Sequence, residues 1–253
     1  MYPELKTKVA LVTGSGKGSG RSIAKRLAQE GCTVVINYRR HRDNAETLLS
    51  EIHDLGGSGI AIKADLSQEE KTFALFKVIK EEFGGLDILI HNAAFGVPED
   101  ILSCTGHHWD VAMTSICKSF LQMSQYASQL MSNGGRIIGI SCYNQQVLPN
   151  LGAISVAKAG MEALVKQLAV SCAPQGITVN SILPGLHESA SFQTHPDRQR
   201  LLKTVTEKTP HNRRLTPDDI AHTAAFLCSD QAEMIQGQCL TVDGGLSLLH
   251  PAA

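Results

Sequence analysis

The stretch "VALVTGSGKGSGRSIA" at 9–24 sets a glycine-rich turn between a short aliphatic run and an amphipathic one. A turn of this kind brings backbone amides close to a diphosphate. Gly14 permits the tight bend. Gly18 and Gly20 remove side chains where backbone must approach a pyrophosphate and where helix meets strand. The helix that follows turns free N–H groups and the positive end of its dipole toward phosphate oxygens. A bare glycine pattern is weak; the strand–turn–helix setting makes this one specific for a dinucleotide. The contacts expected from the turn are Gly14, Ser15, Lys17, Gly18, Ser19 and Gly20.

Charge then distinguishes one dinucleotide from the other. An acidic residue after the second strand accepts bonds from a ribose 2′-OH. Here that strand ends "INYRRHR", with Tyr38, Arg39 and Arg40 and no acid before Asp43. Arginines here, with Lys17 in the turn, suit a 2′-phosphate, and an arginine also stacks well on adenine. The expected cofactor is therefore NADPH; the bland alternative is that these cations form a solvated face.

A second group of candidates lies past the middle of the chain. "RIIGISCYN" at 136–144 puts Ser141, Cys142 and Tyr143 in a row at the end of an aliphatic run. "NLGAISVAKAG" at 150–160 reaches its only lysine at Lys158. Ser141 and Tyr143 bring hydroxyls to the expected edge of the cleft, and Lys158 brings a cation early in a helix expected from about 151 to 172. His107, His108, His187, His195 and His211 show no metal-like spacing, so no metal is expected; His187 stands out because it follows "PGL".

The bulk composition sets the limits around these groups. The chain has 253 residues, 43% hydrophobic and 19% charged, with a formal net charge of −1. That suits a globular domain with a sizeable core, and gives no electrostatic reason for a nucleic-acid or anionic-membrane partner. The seven cysteines are dispersed, with no C-x-x-C pair, and read as reduced thiols. No signal-peptide pattern and no apolar run of membrane-spanning length is present, so a cytoplasmic location is expected.

The elements that must position these residues follow from periodicity. "KVALVTG", "CTVVINY", "SGIAIKAD", "LDILIHNA", "GRIIGIS", "GITVNSIL" and "QCLTVDGG" are strand candidates, separated by helical stretches such as "GRSIAKRLAQEG" and "EEKTFALFKVIKEEFG". Strands apolar on both faces, separated by helix-length segments, predict an α/β fold. It is a single-domain Rossmann-type doubly wound parallel sheet over 1–253, of about seven strands with helices on both faces. The irregular segment 186–214 follows a strand and "PG", and reads as a substrate lid.

These motifs together resemble the short-chain dehydrogenase/reductase family. "TGSGKGSG" at 13–20 fits its T-G-x-x-x-G-x-G signature. "ADLS" at 64–67, "HNAA" at 91–94, Lys158 before "AG", "ITVNSILPG" at 177–185 and "VDGG" at 242–245 fall at the family's intervals. The resemblance spans essentially the whole chain. It implies that Ala64, Asp65 and Leu66 border the adenine and that Asn92, Ala93 and Ala94 line the cofactor cleft. It also implies that Pro184, Gly185 and Leu186 lie near the nicotinamide carboxamide, and that Lys158 holds the nicotinamide ribose. Family relatives bury the tail "VDGGLSLLHPAA" between subunits, and helices like those carrying Trp109 and Lys158 form a dimer face, so a homotetramer is expected.

Within the family the chain is most similar to enoyl-thioester reductases, through Ala94, the segment "PNLGAISVAK" and the C-terminal stretch from 208. It departs from the family at the acid–base groups. The active-site asparagine falls on Ile116. The serine falls on Cys142 counted from Arg136, or on Ser141 counted back from Lys158. The tyrosine, four or seven residues before the lysine, falls on Ile154 or Leu151. Reducing a ketone needs an acid on the carbonyl oxygen, and its loss costs ~10²–10⁴-fold. Reducing a C=C bond conjugated to a thioester spreads the charge as an enolate, whose oxygen needs a hydrogen-bond donor but no dedicated acid.

The leading expectation is thus an NADPH-dependent enoyl-thioester reductase acting on CoA- or carrier-protein-linked substrates, with Lys158, Tyr143 and Ser141 as its catalytic groups. Tyr143 would replace the missing donor. The alternatives are a carbonyl reductase with a relocated acid, and a non-redox descendant that keeps the dinucleotide as a cyclase, isomerase or scaffold.

Overall fold

The computed structural model describes residues 1–142, 147–187, 192 and 197–249. Seven parallel strands form one sheet in the order β3-β2-β1-β4-β5-β6-β7. They are β1 (Val9–Val12), β2 (Thr33–Tyr38), β3 (Ser58–Lys63), β4 (Ile88–His91), β5 (Gly135–Ile140), β6 (Ile177–Pro184) and β7 (Cys239–Val242). Six fall within runs expected from the sequence, and β6 extends one residue past its run to Pro184.

Alternation along the strands divides the core in two. Leu11, Val35, Leu89, Ile137 and Val179 face one layer of helices: α3 (Glu69–Phe83), α5 (Ser119–Leu130) and α6 (Gly152–Cys172). Their neighbours Val12, Ile36, Ile90, Ile138 and Ile182 face the other: α1 (Gly18–Gln29), α2 (Arg42–Asp54) and α8 (Pro217–Cys228). A sheet buried on both faces explains why the strands read as continuous apolar runs. It also explains why every residue of β6, including Asn180 and Ser181, is buried.

The chain winds outward from β1 through β2 to β3, then returns to β4 on the other side of β1. Val12 pairs with both Ile36 and Ile90, so the sheet's switch of direction lies directly below the glycine turn. A crevice at the carboxyl ends of the strands is where open α/β sheets take ligands. A helix leads from α4 (Gly106–Ala112) into α5 through a π-helical turn, Met113–Lys118, which carries Ile116. Such π turns are rare and gather at functional sites. In the segment expected to be a lid, α7 (Arg198–Lys208) buries Leu202 and Val205.

Candidate active site

The glycine turn has the backbone its sequence implies. Gly14 and Gly18 adopt left-handed φ values of 60° and 59°, which only glycine takes without strain. Gly20 serves packing: a Cβ there would lie 2.5 Å from Asn92 Nδ2 and 2.9 Å from the Gly14 carbonyl. Asn92 in turn donates from Nδ2 to the Thr13 carbonyl (2.9 Å) and to that of Gly14 (3.3 Å). Thr13 Oγ1 accepts from the amides of Asn92 and Ala93, both at 2.9 Å. The ends of β1 and β4 are therefore stitched together across the switch point, and the turn is held in shape before any ligand arrives.

Beside it lies a cavity of about 270 Å³. Gly14, Lys17, Gly18, Ser19 and Arg39 line one side, and Ala64, Asp65, Leu66 and Asn92 to Ala94 the other. A Cβ on Gly18 would meet nothing within 4 Å, so backbone is open to the cleft at that point. Arg39 reaches toward Asp65 (3.9 Å) and lies 4.6 Å above the ring of Phe95. Four expected contacts are not among the lining residues: Gly20, which serves packing, and Ser15, Tyr38 and Arg40. Ser15 is fully buried and donates its hydroxyl to the Val12 carbonyl (3.0 Å). Tyr38 packs against the core beneath α2, and Arg40 is exposed outside the cavity. Arg39 and Arg40 follow the end of β2 at Tyr38, and of the two Arg39 lines the cavity.

A second cavity, of about 150 Å³, opens at the carboxyl ends of β4, β5 and β6. Ser19, Asn92, Ala94 and Phe95 line both cavities, so the two adjoin. Pro184, Gly185 and Leu186 stand at the second, as expected. So does Lys158, only 4% exposed, whose Nζ donates to the Ile140 carbonyl. Burial pushes its pKa down to about 8, with Cys142 and Glu162 acting in the opposite sense.

Ser141 and Cys142 both border this cavity but differ in what they can offer. The Ser141 hydroxyl donates to Glu162 Oε1 at 2.5 Å, on α6 one turn beyond Lys158, so its proton is committed away from a substrate. Burial pushes the Cys142 thiol up, and Lys158 partly offsets this. Ile154, Leu151 and Ile116 form hydrocarbon wall. A Cβ on Gly96 would collide with Ile154 Cγ1, so the wall is tight where a phenol is absent. Tyr143 lies outside the described residues.

Two histidines complete the neighbourhood. His91, at the end of β4, is fully buried, its Nε2 2.8 Å from Ser119 Oγ. Burial and then Lys158 push its pKa down to about 3. His187 lines the second cavity, 3.0 Å from Ser19 Oγ through Nε2 and 2.9 Å from the Gly185 carbonyl through Nδ1. Among the described residues no cluster of three His, Cys, Asp or Glu side chains could hold a metal ion.

A family profile described as Enoyl-(Acyl carrier protein) reductase matches residues 14–247. The 1-cyclohexenylcarbonyl-CoA reductase of Streptomyces collinus is 36% identical over 247 residues, covering 96% of this chain and 88% of that one. The chain is a short-chain dehydrogenase/reductase. A second relative in the family, the 3-oxoacyl-[acyl-carrier-protein] reductase of Staphylococcus aureus, is 35% identical and covers 95% of this chain and 98% of its own. Among solved structures, the enoyl-(acyl-carrier-protein) reductase of Anaplasma phagocytophilum in complex with NAD superposes with a TM-score of 0.91. It is 27% identical, and the match covers 98% of this chain and 97% of that one.

The family is one of oxidoreductases that use nicotinamide dinucleotides, and the glycine cradle, the open Gly18 and the cavity beside them fit such a group. Lys17, Ser19 and Arg39 are the polar side chains of the turn and second strand positioned to hold it. Ile154 and Leu151 present hydrocarbon to the second cavity, and the Ser141 hydroxyl is committed to Glu162. Among the described residues no helix is long and apolar enough to cross a membrane.

Proposed function

We propose that this short-chain dehydrogenase/reductase is an NADPH-dependent reductase of α,β-unsaturated thioesters carried on CoA or a carrier protein. The observation that carries the reading is the second cavity: a buried ammonium at Lys158 facing a wall of Ile116, Leu151 and Ile154, with no phenol four or seven residues before the lysine. Such a site can steady a delocalised enolate but has no phenol beside the lysine to act as the acid on an isolated carbonyl. When bound, the dihydronicotinamide supplies a hydride. Lys158 supplies positive potential and hydrogen-bond donors at the cavity floor, and the apolar wall excludes water from the reacting carbon. The enolate oxygen is met by Tyr143, by a ribose hydroxyl held by Lys158, or by ordered water. The S. collinus relative supports this reading by the reaction in its name.

The preference for NADPH rests on Lys17 and Arg39 lining the cofactor cavity, where both suit a 2′-phosphate. Phe73, Trp109, Val156 and Val170 remain exposed on α3, α4 and α6; a homotetramer would cover them, which light scattering checks. The deciding experiment follows NADPH oxidation with a matched panel of enoyl-CoA, 3-ketoacyl-CoA and simple aldehydes. The S. aureus relative makes the 3-ketones the essential comparison. Turnover of enoyl thioesters alone is expected. Ketones reduced as fast as enoyls would overturn the reading, and no turnover beside tight dinucleotide binding would point to a non-redox role.

A further inference from the structure

His187 is 8% exposed and sits where the cofactor cavity meets the substrate cavity. Its two nitrogens are fixed by different partners. Nδ1 faces the Gly185 carbonyl, which can only accept, so Nδ1 carries the hydrogen. Burial disfavours the charged ring, so Nε2 is a bare lone pair, and the Ser19 hydroxyl, which can donate or accept at 3.0 Å, donates to it. The free protein therefore holds a neutral imidazole of defined tautomer. Burial pushes its pKa down, consistent with that state.

Ser19 is the second residue of α1 and lines both cavities. A pyrophosphate seated on the glycine turn presents only acceptor oxygens, so it competes for the Ser19 hydroxyl proton. Once that proton turns to phosphate, Ser19 offers Nε2 nothing but lone pairs. Two facing acceptors are unfavourable unless one gains a proton, and the nearby negative charge favours a cation there. We infer that His187 takes up a proton at Nε2 when a dinucleotide pyrophosphate engages Ser19, and that the resulting imidazolium holds the transferable proton of this pocket.

The groups around His187 allow this. From α6, Lys158 is the one other charged side chain among the described residues lining the second cavity, and it opposes the change. From the end of β4, Asn92 is neutral and bound to Thr13 and Gly14. From the turn after β7, Asp243 lies beside Gly185 but spends its carboxylate on the amides of Gly245 and Ser247, both at 2.8 Å. Lys17 and Arg39 line the other cavity, toward a 2′-phosphate. Glu188 lies outside the described residues. Of the other groups lining the cavity, Lys158 keeps its ammonium on the Ile140 carbonyl, Ser141 donates to Glu162, the Cys142 thiol is pushed up by burial, and the wall is hydrocarbon.

The use of that proton, unlike its uptake, rests on the reductase reading. As hydride reaches the β-carbon, the electron pair of the C=C bond shifts toward the thioester, and one proton must follow it. His187 gives that proton from Nε2 and returns to the neutral form; the dinucleotide leaves oxidised, and solvent restores the proton in the next complex.

The test needs no substrate. NADP⁺ is titrated calorimetrically at pH 7 in two buffers of different ionisation enthalpy, which gives the protons taken up per site. Wild type is expected to take up more than His187→Gln by roughly one proton, since each linked group that changes state contributes its own uptake. The difference between the two proteins cancels any change at the 2′-phosphate. Ser19→Ala frees Nε2 in the unliganded protein, lets it protonate earlier, and reduces the uptake. Imidazole ¹⁵N spectra of the wild type should move from the Nδ1–H tautomer to imidazolium on adding NADP⁺. Equal uptake in wild type and His187→Gln, or an unchanged ¹⁵N signature, would overturn the inference. If uptake appears but enoyl turnover at saturating NADPH does not fall in His187→Gln by ~10²-fold or more, His187 protonates without being the donor, and the second half of the inference fails. If wild type turns over no enoyl thioester at all, the reductase reading fails while the uptake stands.

Discussion

Replacing Lys158 by methionine should stabilise the unliganded protein at pH 7 while removing its function. The lysine is 4% exposed, and burial lowers its pKa from the ordinary 10.5 to about 8. Each tenfold change in proton affinity is worth 1.36 kcal/mol, so the penalty for carrying a buried charge at neutral pH is roughly 3 kcal/mol. One further effect shifts that figure. Methionine gives up the bond to the Ile140 carbonyl, a loss of about 1 kcal/mol where cavity water can reach the oxygen. A net gain of about 2 kcal/mol remains, and in a domain of this size 1 kcal/mol moves Tm by about 2–4 °C. The melting point should therefore rise by about 4–8 °C.

The gain must depend on pH in one direction. A folded-state pKa below the unfolded one means that, between about 8 and 10.5, the unfolded chain binds more protons than the folded chain. Wild-type stability then rises with pH across that window. By pH 9.5 roughly 2 kcal/mol of the penalty is gone, and the two proteins should melt together. Differential scanning calorimetry at pH 7 and pH 9.5, with and without NADPH, reads all of this. A hundredfold excess of ligand over Kd stabilises by about 2.7 kcal/mol, which wild type should show and Lys158→Met should largely lose. A lower Tm for the variant at pH 7, or an equal difference at both pH values, would refute the reasoning.

Three other substitutions test separate parts of the architecture. Gly20→Ala drives a Cβ to 2.5 Å from Asn92 Nδ2, so Asn92 should lose its bonds to Thr13 and Gly14. The expected cost is about 1–3 kcal/mol in urea melts, with weaker dinucleotide binding by fluorescence; an unchanged Kd and stability would contradict the stitched switch point. Arg39→Ala removes a cofactor-cavity cation, and should weaken NADPH binding about tenfold or more while sparing NADH; an equal loss for both would assign Arg39 to the adenine. Asp219→Asn breaks the capping box of α8 and the paired bonds from Arg213 at 2.7 Å, at a cost of about 1 kcal/mol. The Arg213 bonds hold that carboxyl well below the usual carboxylate range. Its stabilisation is therefore present above an unfolded pKa near 3.9 and fades as pH falls toward the folded value, so urea midpoints of the two proteins should converge in acid.

The parts of the molecule legible in its sequence are those written in adjacent residues. Buried parallel strands announce themselves as short apolar runs, and all seven runs became strands of one sheet. The left-handed turns at Gly14 and Gly18 are encoded by the glycines themselves. Helix α6 begins at Gly152, one residue from where the pattern around Lys158 places it. The π turn at Met113–Lys118 leaves no such mark, because its i→i+5 bonds depend on what the helix packs against. Arg39 and Arg40 look alike as adjacent cations in the sequence, yet of the two Arg39 lines the cavity and Arg40 is exposed outside it.

The substrate side was harder to read for the same physical reason. What decides the chemistry of Ser141 is a carboxylate 21 residues away. What meets the Nε2 of His187 is a hydroxyl 168 residues away, across the sheet's switch point. Neither pairing has a spacing that a sequence motif could record. Ser19 was foreseen only as a phosphate contact of the glycine turn, yet it faces the second cavity as well. That double exposure follows from topology. The turn after β1 and the chain end of β6 both rise at the carboxyl edge of the sheet, so a side chain on the first helix can touch a residue that closes the substrate pocket. A fold that recognises its dinucleotide through local backbone, and its substrate through contacts between distant segments, can keep the first while the second is rebuilt. In this chain the glycine cradle and Lys158 sit beside Ile116, Leu151 and Ile154, and on the proposed reading that combination serves a substrate whose charge is spread as an enolate.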